Sequence, residues 1–89
     1  MALYEANSSS VIEMAEQCGA PDALFQLGLM YCAGRDVAPD LVEAHKWFNL
    51  AAARGNMDAR RYRSEIAREL TKAEIGDAQR RAREWLARH

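Results

Sequence analysis

Two cysteines, two histidines and a run of three serines supply the reactive groups for any nucleophilic or metal chemistry in this sequence. A thiol nucleophile at Cys18 or Cys32 would need an imidazole held against it. His45 precedes Trp47 on an otherwise charged arc and reads as a solvated side chain, and His89 is the last residue. Cys18, Cys32 and His45 lack the paired short spacing of a zinc site. Ser8, Ser9 and Ser10 form a polar capping region with no base beside them, and no glycine-rich loop is present to cradle phosphate. Arg80, Arg81 and Arg83 cluster, but the net charge is −1 and no aromatics interleave with them, which argues against nucleic acid. No catalytic, cofactor-binding or metal-ligating residue is assigned, and the expectation is a protein that is not an enzyme.

Size and charge narrow the reading further. At 89 residues the chain is expected to form one domain, 1–89. No apolar run approaches the roughly 18 residues that span a bilayer. The opening MALYEANSSS lacks the charged start and apolar stretch of a secretory signal. With too few cysteines for a disulfide framework, the expected location is the cytoplasm. Residues 1–53 carry two basic and seven acidic side chains, a net of −5. Residues 54–89 carry ten basic and six acidic, a net of +4. Solvated helix faces account for such asymmetry, as do an acidic partner for the second half or head-to-tail contacts between copies.

Helices must position these groups, because no alternating β pattern occurs and both prolines stand at breaks. The spacing predicts a first helix over 10–18, with Ser10 and Glu13 as a capping box, and a turn or extension over 2–7. A second covers 22–33 and stops at Gly34. Asp40, with Glu43, caps a third over 41–53, ended by Gly55. Asn56 caps a fourth over 57–70. Thr71 and Glu74 open a fifth that runs to about 87. Apolar residues recur at three and four in the last three, as in Leu41, Ala44, Trp47, Phe48, Ala51 and Ala52.

The chain also repeats itself. AEQCGAPDA (15–23) lies over AAARGNMDA (51–59) at an offset of 36, and Ala44-x-x-Trp47 is echoed by Ala82-x-x-Trp85 at 38. Residues 1–22 read as a half-repeat or cap, 23–58 as a complete repeat, and 59–89 as a diverged repeat with a capping helix. The central unit resembles the Sel-like repeat family, relatives of the tetratricopeptide repeats. The resemblance is carried by Ala23, Leu27, Gly28, Tyr31, Gly34, Val37, Asp40, Ala44, Trp47, Ala51, Ala52, Gly55 and Ala59, over about 37 of the 89 residues. Asp36 replaces the loop's second glycine, an exchange the left-handed backbone tolerates. Ala51 and Ala52 stand where the bridged, secreted branch of the family has a cysteine. The resemblance implies an all-α, right-handed solenoid of about five helices. It also implies a role in assembling or signalling complexes, most often in bacteria.

Gly28 interrupts an apolar helix at a cost of roughly 1 kcal/mol relative to alanine. Placed with Leu24, Leu27 and Tyr31, it is expected to face Ala44, Ala51 and Ala52 and let two backbones approach. The same helix is apolar all round except for Gln26, so it must be covered all round. Asp22, Phe25, Leu29 and Cys32 form a stripe beyond its two neighbours. The resemblance places that stripe on a concave, partner-binding surface. A partner, a second copy, or Leu3 and Tyr4 folded back are the candidate covers. The 36-residue offset sets Asp58, Arg61, Glu65 and Arg68 beside it. The expected function is an adaptor or scaffold with no cofactor. It would bind a peptide or protein with an apolar anchor and acidic flanks. The alternative is a structural homodimer built on the apolar face.

Overall fold

The computed structural model describes the backbone from residue 8 and the side chains from residue 11. The expectations for residues 2–7, including Leu3 and Tyr4 as a cover, lie outside the described residues. Among the described residues five helices follow one another: α1 (Ser8–Cys18), α2 (Pro21–Ala33), α3 (Leu41–Ala53), α4 (Met57–Ala67) and α5 (Lys72–Arg88). No strand occurs among the described residues, and the architecture is the all-α helix-pair stack expected. Ser10 lies within α1 rather than at its cap. Proline at the start of α2 suits the first helical position, where its missing N–H has no partner to lose. α4 stops at Ala67, three residues early, and 68–70 form the turn into α5.

The ends of the helices follow their side chains. Asp40 accepts from the N–H groups of Val42 (3.0 Å) and Glu43 (3.1 Å). Glu43 does not close a reciprocal box, because its carboxylate is drawn to Lys46 (3.5 Å) and to Arg81 of α5 (2.7 Å). Asn56 caps α4 through Asp58 and Ala59, and Thr71 with Glu74 forms the full box of α5. Gly34 turns the chain after α2 with φ of 72°, and a Cβ there would lie 2.6 Å from the Pro39 ring. Asp36 takes the left-handed backbone expected of it, with φ of 64°.

α3 is the hub. It pairs with α2 and also packs against α4 and α5, while α5 hardly approaches α4. Arg81 meets Glu43 and Trp85 meets Trp47, so α5 runs parallel to α3 at the 38-residue offset. Leu24, Leu27, Trp47, Phe48 and Leu50 are the largest fully buried side chains. The turns 36 residues apart also touch. Arg54 Nη1 donates to the Gly19 carbonyl (2.9 Å) and its guanidinium lies over Trp85, while Asn56 Nδ2 donates to Asp22 (2.9 Å).

Candidate interaction surface

Gly28 faces an aromatic ring rather than alanines. A Cβ built on it would lie 2.4 Å from Phe48 Cδ1 and Cε1. The missing side chain therefore admits the Phe48 ring between α2 and α3. Phe48 in turn meets Phe25, with centroids 5.6 Å apart, and Tyr62 of α4, also at 5.6 Å. Phe25 and Tyr62 close the triangle edge to face at 5.1 Å, a geometry that aromatic quadrupoles favour.

Phe25 is thus half-buried and continuous with the core, where the spacing had set it on a separate stripe. Leu29 and Cys32 are half-buried on the same margin. Burial, and then Glu69, pushes the Cys32 thiol above its ordinary pKa and keeps it neutral. Tyr31 is likewise raised, by burial first and then by Glu43, Glu16 and Asp40. Asp22 is exposed and fixed by Asn56. Cys18 is an exposed free thiol, and Cys32 is also unbridged.

The second half of the surface comes from α4 and the turn after it. Arg61 lies over the ring of Tyr62 (5.4 Å), the residue that Phe25 meets edge to face. Asp58, Glu65 and Arg68 are exposed, and none of the four charged groups forms an ion pair among the described residues. Arg80 and Arg81, by contrast, are engaged by Asp77, with Glu84 and Glu43 as further partners. Their pKa values rise and that of Asp77 falls, chiefly through these hydrogen bonds.

His45 corrects the sequence reading most sharply. It is buried at 3% exposure, not solvated, and feels the charge of Arg63 from α4. Arg63 reaches across to Asn49 (2.7 Å), one turn beyond His45. Burial, followed by the Arg63 charge, lowers the His45 pKa. A position flanked by Ala44, Trp47, Phe48 and Asn49 carried the signal: only Lys46 on that turn needed water.

No helix among the described residues is long and apolar enough to cross a membrane. Residues 21–56 match the family model described as Sel1 repeat. Sel1 repeats are helical modules that mediate protein–protein interactions. No curated protein and no solved structure matches the chain.

Proposed function

Because residues 21–56 are a Sel1 repeat, we propose that this protein is a small cytoplasmic adaptor, without catalysis. It holds a peptide or protein on the surface running from Asp22, Phe25, Leu29 and Cys32 to Asp58, Arg61, Glu65 and Arg68. In this reading 23–58 is the complete repeat, 1–22 a preceding half-repeat, and 59–89 a diverged pair that closes the stack. The observation that carries it is the Phe25–Phe48–Tyr62 triangle, which gives a half-buried apolar margin a rigid backing. A preorganised aromatic margin costs little ordering on binding, and such anchors dominate interface energies. Arg61 and Arg68, unpaired at its edge, suit a partner that sets an apolar side chain near Leu29 and carboxylates beyond it.

The test is affinity capture from cell extract with the parent chain beside Leu29→Asp and a double Arg61→Glu, Arg68→Glu variant, with helical circular dichroism on the same samples. A protein retained by the parent and lost from both folded variants supports the surface. Retention by both refutes it. Self-association that disappears on dilution, and with Leu29→Asp, supports the homodimer instead.

A further inference from the structure

The contact between α3 and α4 contains a titratable group that the interaction surface does not use. His45 is buried, and its Nδ1 has no hydrogen-bond partner among the described residues. We propose that this contact is released by acid: a proton taken up by His45 loosens α4 and parts Tyr62 from Phe25 and Phe48.

A protonated imidazole carries N–H on both ring nitrogens, whichever tautomer preceded it. The one on Nδ1 would be a buried donor with no acceptor, and its positive charge would be shielded from water. α4 adds Arg63, a like charge held close by Asn49. Among the described residues, no carboxylate acts on His45 to offset the pair. Glu43 of α3 is shared between Lys46 and Arg81. From α5, Asp77 is taken by Arg80 and Arg81. From α2, Tyr31 and Cys32 are raised above their ordinary values and stay neutral across this range. α4 is the helix able to yield, since it packs on α3 but hardly on α5. Its departure removes the Tyr62 corner of the aromatic triangle.

The direction follows from linkage. In the released form the imidazole titrates near its ordinary value of about 6.5, whereas the closed form resists the proton. The closed contact is therefore fully present above that pH and is lost as pH falls below it. One unit below, the released form gains at most about tenfold.

Amide hydrogen exchange by NMR on the full chain at pH 7.5 and 5.5 tests this, together with the ring-proton titrations of His45 and His89. Protection factors, corrected for intrinsic rates, should fall in α4, by at most about tenfold, and far less in α2 and α3. The His45 ring should titrate below 6.5. In His45→Leu the α4 protection should not respond to pH. If that variant does not fold, His45→Gln replaces it. A His45 ring that titrates at the ordinary value, or a loss of protection spread equally over all helices, overturns the proposal. So does an unchanged acid response in the folded His45 variant.

Discussion

Alanine at Gly28 separates two opposed effects. By helix propensity alone the exchange should stabilise α2 by roughly 1 kcal/mol. The structure predicts the reverse sign. The added methyl would meet three Phe48 ring carbons at 2.4, 2.4 and 2.9 Å, more than 1 Å inside ordinary contact at two of them. Phe48 is fully buried and leans on Phe25 and Tyr62, so its ring cannot turn aside without moving both. Overpacking of this kind costs about 1–3 kcal/mol, and a ring pinned on both sides belongs at the upper end. The net expectation for Gly28→Ala is a destabilisation of about 1–2 kcal/mol once the propensity gain of roughly 1 kcal/mol is set against it. For a domain of this size that lowers the melting temperature by about 4–16 °C. Thermal unfolding followed at 222 nm measures it. Phe48→Leu should remove most of the penalty of Gly28→Ala in a double-mutant cycle, because the clash belongs to the pair. A variant that melts above the parent, or a cycle with no coupling, would show that Phe48 is free to move and that Gly28 has some other reason.

Three further outcomes follow from other contacts. Asp40→Ala removes the acceptor for two first-turn amides of α3 and should cost about 0.5–2 kcal/mol, read as a lower urea midpoint with an unchanged slope. Glu43→Gln takes the carboxylate from between Lys46 and Arg81. It should cost on the order of 1 kcal/mol after discounting for the partly open Arg81, and the loss should shrink in Arg81→Met. On the alkaline side, the Cys32 thiol is raised by burial, so the unfolded chain releases its proton first. Stability should fall as pH rises past the ordinary thiol value of 9.0, and Cys32→Ala should flatten that part of the profile. A urea midpoint that is level across the range in the parent would contradict this.

The helices were legible because their signals are local. Asp40, Asn56 and the Thr71–Glu74 box each satisfy amides within three residues, and the 36- and 38-residue echoes name the turns and helices that come together. What was not legible depends on which helix covers which. A single missing side chain at Gly28 is equally compatible with a facing alanine or a facing ring. The choice is made by how far α3 rotates to bury Phe48. His45 failed for the same reason: Glu43 and Lys46 made its turn look charged, yet those two reach sideways to each other and the imidazole is buried. The margin of the proposed surface could be drawn as a stripe, but the contact of Phe25 with Tyr62 joins residues 37 apart in sequence.

The point where the repeat pattern fades has a physical account as well. Shifted by 36 residues, Leu24, Leu27 and Gly28 of α2 become Arg60, Arg63 and Ser64 of α4, while Met30 becomes Ile66. Met30 and Ile66 are both buried, so the face turned to the core keeps its apolar residue. The other three positions differ in their surroundings. On α2 they lie under α3 and are buried, whereas on α4 Arg60 and Ser64 are exposed and Arg63 is half-buried. α5 lies along α3, fixed by Arg81 on Glu43 and Trp85 on Trp47, and hardly approaches α4. A helix lacking a close partner on that side needs no small residue for close approach and would expose any leucine placed there. Arginine with its stem on the surface and its head in water is the stable solution. The family match spans one unit of 36 residues, 21–56, and does not continue over α4, where these residue types change. Arg60 and Arg63 thus follow from the side of α4 that α5 leaves uncovered.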